Sequence, residues 1–166
     1  EGGGVLLNQS SHPIDLWQWI CGMPQKIRAF MGYGKYHNIE VEDDITAYME
    51  YENGATGVFI TSTGETPGTN RLEIIGDMGK IIIENQKIDY FKLKVSERKF
   101  NEEYKGGMGE PEFSKVDLSV VNSEPGHEAI LNNWVSGILE GKPLLSPGIE
   151  GIKGLEISNA IYLSDW

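Results

Sequence analysis

The sequence predicts an α+β fold: an open, largely antiparallel β-sheet with helices packed on one face and the other face available for oligomerisation. Apolar and polar residues alternate from Ile45 to Glu52, and Asn53-Gly54 then supplies a pair that favours a tight hairpin. Further short apolar stretches follow between turn residues, whereas the C-terminal part shows apolar residues at helical spacing. Residues 1–166 are predicted to form a single domain.

The first predicted element is a helix that ends at Gly22, because glycine is favoured just beyond the last helical residue. Pro13 has no N–H to donate to the preceding turn, which disfavours one continuous helix. Two arrangements stay open. Either the whole segment is helical, or Ser11 or His12 caps the helix and Asn8 lies on a preceding turn.

The middle of the chain is predicted to form antiparallel strands joined by short turns. A strand from Lys26 to Met31 leads into a polar loop from His37 to Asp44. The remaining predicted strands are Ile45 to Glu52, Ala55 to Thr63, Arg71 to Ile75, Lys80 to Glu84 and Ile88 to Val95. The polar, glycine-bearing segment from Glu97 to Glu112 is predicted to be a loop or irregular excursion.

Two strands are apolar on both faces, at Val58-Phe59-Ile60 and Ile81-Ile82-Ile83, so both faces of the sheet require cover. Helices can cover one face. One helix is predicted to end at Gly141 and another to run from near Gly148 or Glu150 to Leu163. A second copy of the chain is predicted to cover the other face, which gives a homo-oligomer.

Composition narrows the classes of partner and compartment. Fourteen basic and 25 acidic residues give a net charge of -11, which disfavours nucleic acid as a partner. The chain has one cysteine, Cys21, so an internal disulfide is excluded. No apolar segment has membrane length, and no leader is recognisable. We therefore expect no membrane partner and a cytoplasmic location.

Near the amino end, Asn8, His12 and Asp15 recur at spacings of four and three among mostly apolar neighbours. On a continuous helix, these residues would lie on one face. Histidine is readily poised between acid and base near neutral pH, and a neighbouring carboxylate or amide can orient its ring. The spacing suggests a proton-transfer site at His12, although it also fits a histidine that caps a helix or packs in the core.

Ordered motifs cover nearly the whole chain: GGGVLLNQSSHPIDLWQWICG, then VEDDITAYMEYENGATGVFITSTGETPGTNRLEIIGDMGKIIIE, then HEAILNNWVSGILEGKPLL, and finally NAIYLSDW. In this order they resemble the C-terminal domain of the glucose-fructose oxidoreductase, inositol dehydrogenase and rhizopine-catabolism family, Gfo/Idh/MocA. The resemblance implies a C-terminal substrate-binding and oligomerisation domain. It also implies a sugar or polyol substrate and hydride transfer to or from NAD or NADP.

In that family a protein group handles the hydroxyl proton, and His12 matches the usual acid/base histidine. The family often has an aspartate four residues earlier, where this chain has Asn8. An amide carries no negative charge, so Asn8 would not raise the basicity of His12 and is better suited to bind a substrate hydroxyl. Asp15 could orient the imidazole or reach the substrate, or it could interact with the helix dipole as a structural carboxylate.

The family also carries an N-terminal Rossmann domain, whose Glu-Lys-Pro lysine helps to position or polarise the substrate. This sequence contains no GxGxxG turn and begins at Glu1 within a motif, so we expect it to be the substrate-side part of a longer enzyme. The missing domain would bind most of the cofactor, and the fragment alone would be inactive. The alternative is a non-catalytic carbohydrate-binding or assembly subunit with the same fold, an interpretation that Asn8 encourages.

Other candidate sites are weaker. Thr61, Thr63, Glu65 and Arg71 could line a sugar pocket, although cross-strand pairing also explains them. The acidic residues near His37 are predicted to form a solvated loop rather than a metal site. His127 is predicted to cap a helix. No metal site is expected.

Overall fold

The computed structural model describes residues 2–85, 87–118 and 126–165, and its helices and antiparallel strands confirm the predicted α+β class. These residues divide into two units. The first contains the chain up to Thr66 and the C-terminal helices, and the second begins at Pro67 and contains the later strands. The single-domain organisation stays a prediction. No described helix is long and apolar enough to cross a membrane.

The helices are α1 (Val5–Asn8), α2 (Ser11–Cys21), α3 (Glu97–Glu103), α4 (Gly126–Glu140) and α5 (Gly151–Asp165), with a 3₁₀ turn at Gly148–Glu150. The strands are β1 (Lys26–Tyr33), β2 (Glu42–Glu50), β3 (Thr56–Ser62), β4 (Arg71–Gly76), β5 (Gly79–Glu84), β6 (Lys87–Leu93) and β7 (Phe113–Val116). Among the described residues they form two antiparallel sheets, ordered β1-β2-β3 and β4-β5-β6-β7.

The core of the first unit lies between one face of its sheet and three helices. Ala29, Ala47 and Phe59 are direct partners across the three strands, and all are buried. The other buried apolar side chains come from β2 and from α1, α2 and α5: Val5, Leu6, Ile14, Ile45, Met49, Ile157 and Ile161. Successive strand residues point to opposite faces, so alternate positions remain exposed on the outer face of this sheet.

Helix α5 is hydrogen-bonded to the edge of the first sheet. The backbone N–H of Ala29, on edge strand β1, donates to Ser164 Oγ at 2.9 Å. Sequence periodicity predicted that the helix ending at Gly141 would also cover the sheet. That helix is α4, but its apolar side chains are largely exposed, as with Trp134 at 54%. The period of a helix identifies its apolar face and not the surface that the face meets.

In the second unit, one sheet face carries a ladder of ion pairs. Arg71 contacts Glu84 at 3.0 Å and Glu73 at 2.7 Å, and Lys80 contacts Glu73 at 3.2 Å. The opposite face is apolar, because Leu72, Ile83 and Ile88 are aligned across β4, β5 and β6. The ion pairs therefore lie on one face of this sheet only, although that face also carries Ile75 and Ile82.

Two local predictions were wrong. The segment from Glu97 to Glu112 is not wholly a loop, because it begins with α3, whose N-cap Ser96 accepts the N–H of Lys99 at 3.2 Å. Asn8 lies on a separate preceding helix, α1, as one of the two open arrangements had it, but α2 begins at Ser11, so its N-cap position is Ser10 rather than Ser11 or His12. Ser10 Oγ contacts Thr61 Oγ1 at 2.8 Å instead of capping the helix, which shows that a tertiary partner replaced the local one.

Candidate functional site

The site is organised by a β-bulge at the start of β2. Gly32 pairs with Asp44 and Tyr33 pairs with Glu42, which leaves Asp43 as an extra residue. A bulge shifts the alternation of side chains along a strand and re-aims them. As a result, two successive carboxylates are buried, Glu42 with 2% and Asp43 with 1% of its surface exposed.

Glu42 joins strand β2 to two helices. Its Oε1 accepts hydrogen bonds from the backbone N–H of Leu6 at 3.1 Å and from the hydroxyl of Tyr162 at 2.7 Å. Burial and this interaction with Glu42 raise the pKa of the Tyr162 phenol well above its ordinary value. Glu42 thus connects both α1 and α5 to β2 through one buried carboxylate.

The run of glycines from Gly2 to Gly4 has a structural function that the sequence did not reveal. A Cβ on Gly4 would overlap the carbonyl oxygen and the carboxylate of Glu42. Gly3 has a φ of +76°, a left-handed conformation that favours glycine. These glycines therefore allow the chain to approach Glu42 closely before α1 begins.

Asp43 holds the loop at residues 34–41. Its carboxylate accepts from the backbone N–H groups of Lys35 at 2.9 Å, Tyr36 at 2.7 Å and His37 at 3.0 Å. His37 Nδ1 lies 3.3 Å from the same carboxylate. The prediction of a solvated acidic loop was wrong for these residues, because Glu42 and Asp43 lie on β2 and are buried.

The hydrogen bonds decide the ionisation of Asp43. Burial alone would raise its pKa, but the three backbone donors and the His37 side chain together lower the pKa from 3.8 to about 2. A carboxyl group with a lowered folded-state pKa stabilises the fold above its unfolded-state pKa. That stabilisation is lost as the pH falls through the folded-state value.

Asp43→Asn is therefore expected to reduce stability at neutral pH and to weaken its dependence on pH. In the parent protein, Asp43 should contribute a fall in melting temperature between about pH 4 and pH 2. Thermal unfolding across this interval measures the effect. Asp44→Asn is the matched control, because Asp44 makes a surface ion pair with Lys35. An identical pH profile for parent and Asp43→Asn would contradict the expectation.

A cavity of about 220 Å³ lies in the first unit beside these carboxylates. Its walls come from the segment around α1, from the 34–41 loop and from the adjoining strand ends. The lining residues are Gly3, Gly4, Val5, Asn8, Gln9, Ile39, Val41, Glu42, Asp43 and Thr63. The structure therefore brings two of the predicted substrate-binding residues, Asn8 and Thr63, to one cavity.

His12 is exposed on the first turn of α2, outside this lining. Buried Ile14 and Gln18 hold the helix against the core. Within the described ranges, the side chains of His12 and Asn8 have no hydrogen-bond partner. Asp15 accepts from Gln18 Nε2 at 3.2 Å. The imidazole is thus accessible to a ligand.

The remaining predicted substrate-binding residues differ in their contacts and in where they lie in the fold. Thr61 contacts Ser10, and Thr63 Oγ1 lies 3.2 Å from His37 Nδ1. Glu65 is exposed in the loop after β3. Arg71 belongs to the second unit, where it takes part in the ion-pair ladder. Substrate binding by these residues stays a prediction.

Sequence reasoning missed Glu42, Asp43 and His37 as organising residues. The available signal was a run of acidic residues directly before an alternating strand, a place where a bulge could bury them. Within residues 2–85, 87–118 and 126–165, no cluster of three His, Cys, Asp or Glu side chains could hold a metal ion.

Comparison with known proteins supports the resemblance. A family model described as the GFO/IDH/MocA C-terminal domain matches residues 1–82. The WlbA dehydrogenase of Chromobacterium violaceum, in complex with NADH and UDP-GlcNAcA, is similar with 25% identity and a TM-score of 0.73, over 98% of this chain and 44% of that one. The WlbA dehydrogenase of Bordetella pertussis, in complex with the same ligands, has 23% identity and a TM-score of 0.73. This match covers 98% of the present chain and 43% of the Bordetella chain.

A third similar structure is the UDP-N-acetylglucosamine 3-dehydrogenase GnnA of Acidithiobacillus ferrooxidans. It has 17% identity and a TM-score of 0.72, over 96% of this chain and 48% of that one. The present chain therefore spans a little under half the length of these three structures. At such low identities, the likeness is evidence for the fold.

Proposed function

Because residues 1–82 match the family model of the GFO/IDH/MocA C-terminal domain, we propose that this chain forms the substrate side of an NAD(P)-dependent oxidoreductase acting on a sugar, polyol or related compound. One observation carries the proposal. The cavity lined by Asn8 and Thr63 lies beside the segment that leads into α2, where His12 is exposed. A concave site with a few polar groups and an accessible imidazole suits the binding and deprotonation of a hydroxyl.

The described residues do not provide the usual fold for the dinucleotide. Their strands are antiparallel, whereas dinucleotides bind at the ends of parallel strands beside a glycine-rich turn. We propose that residues outside this chain hold most of the cofactor. When bound, NAD(P) would supply or accept the hydride.

The residues of this chain would bind the substrate and move its proton. His12 would accept the proton of the reacting hydroxyl, or return it in the reverse direction, and would need its neutral form to act as a base. Asn8 would donate to or accept from a neighbouring hydroxyl. Asp15 would orient the imidazole or reach the substrate, and Thr63 would contact the substrate from the cavity lining. We keep Thr61, Glu65 and Arg71 as further substrate-binding candidates.

The substrate class is tested first with the ligand of the similar WlbA structures, UDP-GlcNAcA. The full-length protein carrying this chain would be incubated with NAD or NADP and a panel of UDP-GlcNAcA, sugars and polyols. Formation of reduced nicotinamide with one member supports the proposal. Carbohydrate binding without nicotinamide reduction across the panel would instead identify a non-catalytic binding subunit.

We also propose that the outer face of the first sheet forms a contact between copies of the chain. Phe30 and Ile60 are 65% and 68% exposed there, and Tyr48 and Val58 lie on the same face. A contiguous exposed apolar surface of this kind is typical of an interface.

Ile60→Glu is expected to dissociate the oligomer, because it places a charge within the apolar contact. Light scattering after size-exclusion chromatography measures the mass. Ile149→Glu is a matched control, since Ile149 is 66% exposed on the 3₁₀ turn. A monomeric parent protein, or an unchanged mass in Ile60→Glu, would refute this interface.

A further inference from the structure

The loop at residues 34–41 forms one wall of the cavity through Ile39 and Val41. We propose that Asp43 is a positioning residue that holds this wall in place and thereby sets the affinity for the ligand in the cavity. The effect on affinity rests on the proposed function, whereas the anchoring of the wall by Asp43 follows from the geometry alone.

The carboxylate of Asp43 anchors the first half of the loop. Three consecutive backbone N–H groups, at Lys35, Tyr36 and His37, converge on its two oxygens. Such a concave set of donors is selective for an anion, and hydrogen bonds to an ionised acceptor are the stronger kind. The loop's own backbone contributes bonds from Gly34 N to Val41 O at 3.2 Å and from Ile39 N to His37 O at 2.9 Å.

The backbone of Asp43 anchors the end of β3 and the residue after it, Thr63, which also lines the cavity. The Asp43 carbonyl oxygen accepts from the backbone N–H of Thr63 at 3.0 Å and from Ser62 Oγ at 3.3 Å. Thr63 Oγ1 also contacts His37 Nδ1, so a side-chain contact joins the loop to the residue that follows β3. One residue thus links two walls, and Thr63 itself lines the cavity.

The ring of Tyr36 adds a packing contact to the same junction. A Cβ on Gly64 would overlap this ring, so the ring lies directly against the glycine. The loop is consequently held at both the Asp43 carboxylate and the segment after β3. Removing the carboxylate would leave the packing contact and would release the three N–H groups.

An asparagine at position 43 cannot reproduce the anchor. An asparagine side chain has one acceptor oxygen. Its NH₂ group is a donor, so it would face backbone N–H groups from which it cannot accept hydrogen bonds. In the proposed function, the wall would contact the substrate away from the proton that His12 would handle. The expected effect is therefore on substrate binding, which appears as a higher KM with little change in kcat.

The test compares Asp43→Asn with Asp44→Asn in the full-length protein. Both variants make the same isosteric exchange on adjacent residues, but the Asp44 carboxylate forms a surface pair with the side chain of Lys35 at 2.6 Å, whereas the three loop N–H groups donate to Asp43. Such surface pairs contribute little. For Asp43→Asn we expect KM for the substrate identified from the UDP-GlcNAcA panel to rise about tenfold and kcat to stay within about twofold. Asp44→Asn should leave both unchanged.

Amide hydrogen exchange gives a second readout that needs no turnover. In Asp43→Asn, exchange at Lys35, Tyr36 and His37 should accelerate about tenfold or more, while β2 stays protected. If Asp43→Asn does not fold, His37→Ala replaces it, because this variant removes the side-chain contacts to Asp43 and Thr63 and keeps the backbone donors. Its KM should rise about two- to fivefold.

An unchanged KM in the folded variant, or a fall in kcat at constant KM, would overturn the inference. Unaltered exchange at the three amides would also overturn it. A parent protein without turnover would refute the proposed function instead, and the exchange rates would then decide whether Asp43 holds the wall.

Discussion

Replacing His12 with alanine in the full-length protein should lower kcat/KM for the sugar or polyol substrate about 10²- to 10⁴-fold, the usual contribution of general acid–base catalysis. The reason is chemical. Alanine leaves no group at this position to take the hydroxyl proton. Because His12 is exposed, its loss should cost little stability.

The matched control for His12→Ala is His127→Ala, since His127 is also an exposed histidine in the first turn of a helix. The dissociation constant for NAD or NADP should stay near the parent value in both variants. Steady-state kinetics and cofactor titration separate the two quantities. Near-normal turnover of His12→Ala would exclude His12 as the proton-transfer group.

Gly4→Ala should destabilise the fold by about 3 kcal/mol, at the upper end of the cost of overpacking. The added methyl group would overlap Glu42 at both its backbone carbonyl and its buried carboxylate. A flexible side chain could move aside, but a strand carbonyl cannot. The displacement should also disturb the bond between Glu42 and the N–H of Leu6, and with it the cavity wall.

Gly2→Ala provides the control within the same glycine run, because a Cβ there would have no neighbour within 4 Å. Chemical denaturation of both variants gives the free energies of unfolding. Gly2→Ala should lie within about 0.5 kcal/mol of the parent protein, as ordinary surface substitutions do. Equal stabilities for the two variants would show that the chain does not approach Glu42 closely at Gly4.

Local chemistry was sufficient to predict most helices and strands. Helix α2 ends at Cys21 and is followed by Gly22, which has a φ of +79°; α4 ends at Glu140 and is followed by Gly141, which has a φ of +68°. The alternation after Ile45 correctly predicted the buried face of β2. These predictions succeeded because turn chemistry and side-chain period act over a few residues. The resemblance to the GFO/IDH/MocA C-terminal domain is also confirmed.

The candidate site was only partly predictable. Asn8 and Thr63 were named in advance and share a cavity, but the organising residues Glu42 and Asp43 were assigned to a solvated loop. No local pattern distinguishes an acidic loop from a bulged strand that buries its acids. The roles of His12 and the substrate-binding residues stay predictions until the variants are measured.

The sequence by itself determined the fold class, the boundaries of most helices and strands to within a few residues, and the position of His12 at the start of a helix. Tertiary structure alone decided that two adjacent carboxylates would be buried and form a cavity wall. Glu42 depends on partners 36 and 120 residues away along the chain, in Leu6 and Tyr162. A buried charge is tolerated only where the completed fold supplies such donors, and no short segment contains them.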